Sequence, residues 1–249
     1  MFTDSHCHLY DEYYDNLDNI LKISEDNKVN RFINNGCDLK TNKEVIDRIS
    51  NYENMYGTLG IHPEYVENYT DEDILFIKNN LNNLKIIAIG EIGLDYHYTK
   101  ENKDKQINLF EKQLKLAEEE NIPVIIHSRE ATLDTINTLK KYNVKGLIHS
   151  FSGSLETANE YIKMGYLLGV NGVITFKNSN LKDVIRKIPL EHLVLETDSP
   201  YLTPEPFRGK QNSPAHILEI AKYVAELKGV SLEKLSNITN NNLKKIFNI

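Results

Sequence analysis

The chain has 249 residues, of which 40% are hydrophobic and 26% charged, so it is long enough for one large α/β barrel or two small domains. No apolar run approaches the roughly 18 residues that a membrane span requires, which predicts a soluble protein with no membrane association. The formal net charge of -7 argues against broad electrostatic binding of a nucleic-acid duplex, although a small cationic site is compatible with it.

Cysteine is scarce, and this restricts both the compartment and the metal chemistry. Cys7 and Cys37 fit a reducing compartment and argue against a disulfide framework or a cysteine-rich zinc site. No secretory signal follows Met1. We therefore expect a cytoplasmic protein whose metal ligands, where it has them, are mainly histidine and carboxylate.

Short β-rich apolar runs recur along the chain, and each is followed by a longer stretch with helical periodicity. The predicted strands cover residues 2–8, 31–36, 55–61, 86–92, 124–128, 146–150, 166–173 and 192–198. No long linker, repeat or charge block interrupts the alternation, which predicts a single domain over residues 1–249.

The helical segments carry clear end signals. Over residues 103–120, apolar side chains such as Phe110 and Leu114 recur on one helix face, and Pro123 lies just beyond its end. Near the end of the chain, Ser213-Pro214 and Ser231 are predicted to begin the last two helices.

Alternating strands and helices of this kind imply an α/β protein with a parallel sheet, either doubly wound or closed as a barrel. A doubly wound nucleotide-binding fold has a glycine-rich turn after its first strand, whereas residues 9–12 here read LYDE. We therefore predict a TIM-type (β/α)8 barrel, with room for distortion and with an extra C-terminal helix.

Polar groups follow the predicted strands at their carboxyl ends. His6 and His8 lie two apart and share one face of an extended strand, while Cys7 points away. Later strand ends supply Glu91, His127, His149 and Asp198. Taken singly, such a residue is more often an ordinary hydrogen-bonded polar group than a ligand. Because all strand ends of a barrel converge on one mouth, the joint pattern predicts a metal centre.

The donor types indicate which metals fit. Nitrogen and oxygen ligands without a thiolate suit Zn²⁺, Mn²⁺ or Mg²⁺, and six groups are too many for one tetrahedral ion. We therefore expect two divalent ions. Glu91 could bridge them, since a carboxylate offers one oxygen to each ion.

Six sequence blocks resemble the signatures of the TatD family of metal-dependent hydrolases and deoxyribonucleases. They are DSHCHL, GEIGLDYH, PVIIHSR, HSFSG, LETDSPYLTP and RGKQNSP, in this order along nearly the whole chain. The resemblance implies one metal on His6, His8 and Asp198 and a second on His127 and His149, with Glu91 shared. One departure is Ser150, where the family often has cysteine. We expect Ser150 to face away from the site and to affect it little.

The resemblance also implies a mechanism and a substrate. A metal-activated water would attack a phosphodiester, with Asp198 as the general base and Glu91 in the catalytic centre. The implied activity is that of a nuclease, a 3′-to-5′ exodeoxyribonuclease acting on single-stranded DNA or on 3′ ends of DNA, with RNA as a further candidate. No obligate protein partner is evident.

Four further residues are candidates for substrate binding. His62 ends the third predicted strand, and the resemblance places it toward the substrate rather than on a metal. Arg129 lies two positions after His127 and could bind phosphate, although a surface salt bridge explains it as well. Glu196 shares a face with Asp198 but lies deeper, so a structural role competes. Arg208 lies in a predicted loop with Phe207, which could stack on a base, unless the loop is simply packed.

Three alternatives remain open. A small-substrate amidohydrolase or phosphotriesterase-like hydrolase can share the fold and the metals, although Glu91 stands where such enzymes often have a modified lysine. A D-aminoacyl-tRNA deacylase is associated with some TatD-like proteins. A metal-binding protein without catalysis is disfavoured by the complete set of ligands together with Asp198.

Overall fold

The computed structural model describes residues 1–97 and 99–249, and its centre is a parallel eight-stranded sheet. The strands follow one another in the order β1 to β8, and each neighbouring pair is parallel. They are β1 Phe2–Cys7, β2 Val29–Asn35, β3 Met55–Leu59, β4 Ile86–Asp95, β5 Val124–Arg129, β6 Gly146–Ile148, β7 Leu167–Val170 and β8 Leu193–Leu195.

Helices alternate with the strands and cover the outside of the sheet. In the described part of the chain they are α1 Leu17–Asp26, α2 Leu39–Asn51, α3 Asp71–Asn80, α4 Lys103–Glu119, α5 Thr132–Leu139, α6 Leu155–Lys163, α7 Leu181–Lys187, α8 Ile217–Lys228 and α9 Leu232–Phe247. The helix predicted over 103–120 is therefore confirmed as α4. Ser231 begins α9 as predicted, and its side chain accepts a hydrogen bond from the Lys234 backbone N–H.

The first and last strands meet and nearly close the sheet into a barrel. The His8 backbone N–H donates to the Ser199 carbonyl at 2.8 Å, and the Asp198 N–H donates to the His6 carbonyl at 2.9 Å. The Asp4 carboxylate accepts the Thr197 N–H at 2.9 Å. The TIM-type (β/α)8 fold is thus confirmed, and the seam between β8 and β1 holds three of the residues predicted to form the metal centre.

Two apolar layers fill the molecule. The larger lies between the strands and the helices around them. The smaller fills the barrel interior, where Ile125, Leu147 and Val194 pack with Leu243 and Phe247 of α9. Because α9 also hydrogen-bonds to the start of the chain and to the start of β8, it covers the amino ends of the strands. The mouth at the carboxyl ends is left to the polar residues.

Several predicted boundaries were wrong. The strands predicted over 166–173 and 192–198 are only four and three residues long, Leu167–Val170 and Leu193–Leu195. After β7 the chain turns into a short 3-10 helix, Gly172–Thr175, because the Asn171 side chain accepts the Val173 N–H. An apolar run does not reveal such a turn.

The predicted start of the penultimate helix also needs correction. Ser213 makes no side-chain cap, and a 3-10 turn, Pro214–His216, precedes α8. Proline opens this short turn, and the regular helix begins only after it. Among the described residues, no helix is both long and apolar enough to cross a membrane.

Candidate metal centre

The two histidines of β1 meet at the barrel mouth. In the extended strand they project to the same side, and their Nε2 atoms lie 3.2 Å apart. Cys7 between them turns into the outer layer, where its Sγ donates to the Ile33 carbonyl at 3.3 Å. The alternation predicted for this segment is therefore confirmed.

Glu91 lies among four histidines, with one carboxylate oxygen toward His6 and His8 and the other toward His127 and His149. The His149 ring itself stacks on His6 at 3.7 Å and lies 6.1 Å from the His127 ring, so its donor atom groups with those of His6 and Asp198, whereas His62 groups with Glu91 and His127. Its Oε2 lies 3.3 Å from His6 Nε2 and 3.6 Å from His8 Nε2. Its Oε1 lies 2.8 Å from His127 Nδ1 and 3.6 Å from His149 Nε2. A single buried carboxylate thus faces both halves of the predicted ligand set.

Asp198 completes the first half of this set. Its Oδ1 lies 3.4 Å from His8 Nε2, 3.7 Å from His6 Nε2 and 3.9 Å from His149 Nε2. The Asp198 side chain is 13% exposed, against 4% for Glu91. Asp198 therefore offers the more solvent-accessible carboxylate beside the histidines.

Hydrogen bonds behind the histidines fix which ring nitrogen faces the centre. The Asn35 carbonyl lies 3.2 Å from His8 Nδ1, and the Asp95 carboxylate lies 3.0 Å from His127 Nε2. The Asn35 carbonyl accepts the proton of the neutral His8 ring on Nδ1, which leaves the lone pair on Nε2. His127 has a carboxylate at each nitrogen, Asp95 at Nε2 and Glu91 at Nδ1, so a cation would have to replace the proton between His127 Nδ1 and Glu91. With a cation in the centre, both rings would present a lone pair on the Glu91 side, the orientation that metal-binding histidines adopt.

The spacing of the donor atoms fits a divalent cation. Ligands about 2.05 Å from a tetrahedral ion lie about 3.3 Å from one another. The contacts among His6, His8, Glu91 and Asp198 measured here span 3.2 to 3.7 Å. The lone pairs of two ring nitrogens that face each other at 3.2 Å also repel one another unless a proton or a cation lies between them. The residues present therefore fit a metal ion at this position.

The pKa values in the cluster show that opposite charges offset the effect of burial. Burial alone would raise the pKa of Glu91, but the charges of His149 and His6 hold that pKa well below its usual range. Burial would lower the pKa of His127, but hydrogen bonds to Asp95 and Glu91 raise it to about 9. The carboxylates thus require positive charge beside them, which a divalent ion can supply in place of the ring protons.

His62 joins this cluster rather than the rim. It is buried, its Nε2 lies 3.7 Å from Glu91 Oε1, and its ring centroid lies 4.4 Å from that of His127. Its Nδ1 accepts the Glu64 backbone N–H at 3.3 Å, which leaves the proton of the neutral ring on Nε2. Burial and the charge of His127 lower the pKa of His62 to about 3. A neutral ring with a proton on Nε2 is a hydrogen-bond donor, which favours substrate contact over coordination.

The other predicted substrate residues lie in three different places. Arg129 is exposed at the end of β5, in register with Asp95. Arg208 is exposed in the loop after β8, with its guanidinium 3.8 Å from the centroid of the Phe176 ring. Glu196 is fully buried, so its placement is at odds with a direct substrate contact.

Glu196 lies directly behind His149. Its Oε1 lies 3.1 Å from His149 Nδ1, although that nitrogen is not aligned for a hydrogen bond. The same Glu196 oxygen accepts the Ser150 backbone N–H at 2.6 Å. Ser150 does not continue the strand, since its φ is +47°, and its hydroxyl accepts a hydrogen bond from Asn171. The strand predicted over residues 146–150 therefore ends at Ile148, and Ser150 lies at a tight turn whose backbone N–H orients Glu196.

Sequence reasoning missed three residues that hold the centre in place. Asp95 anchors His127, as described above. Gln106 and Gln113 are buried on α4, and each makes two hydrogen bonds to the backbone of a single residue. Gln106 accepts the Asp95 N–H and donates to the Asp95 carbonyl. Gln113 does the same with the N–H and the carbonyl of Ile61. The available signal was two glutamines seven positions apart on the apolar face of α4, a spacing that places both on one helix face.

A (β/α)8 barrel with a histidine and carboxylate cluster at the carboxyl ends of its strands defines a metal-dependent hydrolase. The family model described as TatD related DNase matches residues 3–248. The chain belongs to the TatD family.

Individual relatives agree with this assignment. The uncharacterized metal-dependent hydrolase YabD of Bacillus subtilis is 41% identical over 254 residues, covering 100% of both chains. The similar hydrolase YcfH of Escherichia coli is 35% identical over 256 residues, covering 99% of this chain and 96% of its own. The crystal structure of YjjV, a TatD homolog of Escherichia coli, superposes with a TM-score of 0.93 at 31% identity, covering 100% of this chain and 98% of that one.

Proposed function

We propose that this metal-dependent hydrolase is a 3′-to-5′ exodeoxyribonuclease that holds two divalent ions, Mg²⁺, Mn²⁺ or Zn²⁺, with Glu91 between them. The observation that carries the proposal is the division of the Glu91 carboxylate, one oxygen toward His6 and His8 and the other toward His127 and His149. The description of the matching family as DNase-related directs the substrate toward DNA.

The chain supplies a distinct role at each position of the proposed site. His6, His8 and Asp198 would hold one ion, and His127 and His149 the other. When bound, the ions would acidify a water molecule and neutralise charge on the phosphoryl oxygens. Those roles leave proton transfer and leaving-group release to the side chains.

Asp198 is the proposed general base, because its carboxylate is the more exposed of the two that reach the centre. It would accept the proton of the attacking water and return it to the departing 3′-oxygen. His62 Nε2–H, close to Glu91, would donate a hydrogen bond to a substrate oxygen. Arg129 at the end of β5 would contact a flanking phosphate through its guanidinium.

The test is a single-stranded DNA oligonucleotide labelled at its 5′ end and incubated with Mg²⁺ or Mn²⁺. We expect stepwise shortening from the 3′ end, and a loss of at least about a hundredfold in rate for Asp198→Asn. His6→Ala should abolish cleavage and lower the metal content below the two ions per chain expected from elemental analysis. Lys245→Ala, at the opposite end of the barrel, serves as the control.

The decisive negative result is a folded, metal-loaded protein that leaves DNA intact. The same preparation should then be offered RNA, D-aminoacyl-tRNA and small phosphate and carboxylate esters. Cleavage of one of these substrates alone would replace the exodeoxyribonuclease proposal with that activity. Unchanged metal content after both Glu91→Gln and His127→Ala would refute the proposed ligand set.

A further inference from the structure

A circuit of four aromatic rings adjoins the candidate metal centre on the side of β1 and β8. The His8 ring lies 5.6 Å from Tyr10 and 6.3 Å from Tyr201 between centroids. Tyr13 closes the circuit, at 5.7 Å from Tyr10 and 5.9 Å from Tyr201. Tyr10 is buried, whereas Tyr201 is 50% exposed. One residue of the metal centre is therefore in ring contact with an aromatic surface open to solvent.

One contact holds the exposed ring of Tyr201, and two more hold its backbone. Its hydroxyl lies 2.7 Å from the Tyr13 hydroxyl. Its backbone N–H donates to the Asp198 carbonyl at 2.8 Å, and its own carbonyl accepts from the Asn212 side chain at 2.5 Å. A ring that is already fixed loses little conformational entropy when a ligand stacks on it. This immobilisation distinguishes Tyr201 from an incidental exposed side chain.

We propose that Tyr201, supported by Tyr13, is the platform on which the terminal unpaired base of a nucleic-acid strand stacks while its phosphodiester lies at the metal centre. The inference rests on the proposed function and names the group that selects the substrate end. Every base has a flat π face, so a tyrosine ring binds it with little regard to sequence. Because the Tyr201 ring centroid lies 6.3 Å from that of His8, a base stacked on Tyr201 would lie about one nucleotide from the centre.

The loop that carries Tyr201 also carries positive charge. Arg208 and Lys210 are exposed in the same loop after β8. The next residue, Gln211, donates its side-chain N–H to the Tyr13 carbonyl at 2.7 Å. The cationic part of the loop is thus joined directly to the aromatic platform, an arrangement suited to a strand that presents both bases and phosphates.

Phe207, which the sequence indicated as a stacking residue, is already engaged within the protein. Its ring stacks on His216 at a centroid distance of 4.7 Å and an interplanar angle of 15°, and Lys210 Nζ lies 5.9 Å from its centroid. Base stacking is therefore assigned to Tyr201 rather than to Phe207.

The test asks whether the effect of changing Tyr201 depends on the presence of the 3′-terminal base. Two oligonucleotides of identical sequence are compared, one with an intact 3′-terminal nucleotide and the other abasic at that position. We expect Tyr201→Leu to lower kcat/KM roughly 5- to 100-fold on the intact strand and to leave the abasic strand nearly unchanged. Tyr201→Phe keeps the ring and should behave like the wild type. Tyr142→Leu, a half-buried tyrosine before β6, is the control.

Equal effects of Tyr201→Leu on both strands, or no effect on either, would overturn the platform. A wild-type protein that cleaves neither strand would instead contradict the proposed function. A binding measurement then decides the inference separately. The metal-loaded full-length protein is titrated into an oligonucleotide with 2-aminopurine as its 3′-terminal base and a non-hydrolysable last linkage.

Stacking lowers the fluorescence of 2-aminopurine. We expect a saturable decrease with the wild type and with Tyr201→Phe, and none with Tyr201→Leu at the same concentrations. No decrease with the wild type would reject the platform whatever the cleavage assay shows. An equal decrease with Tyr201→Leu would place the base elsewhere.

Discussion

Glu196 carries a carboxylate at the base of the candidate metal centre, where the side chain is fully buried. Its position behind His149 resembles the carboxylate, histidine and metal arrangement in which the outer carboxylate orients the ligand and raises its basicity. Gly169 makes room for it, since a Cβ on Gly169 would lie 2.2 Å from Glu196 Oε2. At this scale, the absence of a side chain at Gly169 allows the Glu196 carboxylate to lie beside His149.

We expect Glu196→Gln to weaken binding of the ion held by His149 about 10- to 100-fold, because the neutral amide no longer supports the ring. Metal affinity is measured by competition with a chelator, independently of catalysis. Glu191→Gln, an exposed carboxylate just before β8, is the matched control. Metal binding as tight as in the wild type would show that Glu196 does not position His149.

A second substitution, at Gly169, tests the contact between Glu196 and His149 without removing the carboxylate. Gly169→Ala should push Glu196 away from His149 and weaken metal binding in the same direction. This variant keeps the carboxylate charge. If only Glu196→Gln has an effect, charge rather than position accounts for it.

At the scale of elements, α4 braces the segment just after β3 and the carboxyl end of β4 at once. Gln113 is fully buried and binds both the N–H and the carbonyl of Ile61, the residue before His62. Gln106 binds Asp95 in the same two-point manner. A helix on the outside of the barrel therefore sets the backbone positions from which two mouth residues extend.

Gln113→Leu tests this brace. The substitution leaves a buried N–H and a buried carbonyl of Ile61 without partners, and we expect the free energy of unfolding to fall by about 2 to 5 kcal/mol. Urea denaturation measures the change. Lys115→Ala, on the exposed side of α4, should alter stability by less than about 0.5 kcal/mol. An equal effect of the two substitutions would argue against the brace.

At the scale of the whole molecule, the barrel has one end for stability and one for chemistry. Phe247 and Leu243 of α9 join the interior layer at the amino ends of the strands, while the histidine and carboxylate cluster lies at the carboxyl ends. This division is general for (β/α)8 barrels. Substitutions at the two ends should therefore affect different measurements.

Phe247→Ala should lower the free energy of unfolding by about 3 to 5 kcal/mol, because it removes a large buried ring and leaves a cavity. Its metal content, measured on folded protein below the unfolding transition, should match the wild type. Lys245→Ala, an exposed neighbour on α9, is the stability control. Loss of metal from folded Phe247→Ala protein would mean that the two ends are not independent.

The sequence predicted the barrel and the members of its cluster because both depend on short-range patterns. Period-two alternation is a property of the local backbone, and it was enough to place His6 and His8 together and to turn Cys7 away. Since strand ends of a barrel converge, Glu91, His127, His149 and Asp198 could be expected near them. Strand ends were less predictable, as the turn after β7 depends on the Asn171 side chain.

What the tertiary structure decided depends on contacts between residues far apart in the chain. Only the fold brings Asp95 to His127, Glu196 to His149 and Tyr201 to Tyr13. Hydrogen-bond partners select the protonated nitrogen of His62, and burial separates a positioning carboxylate from one that meets substrate. The sequence by itself determined which donor groups the mouth contains. The tertiary structure determined their orientation and burial, because these properties arise from neighbours that no local pattern specifies.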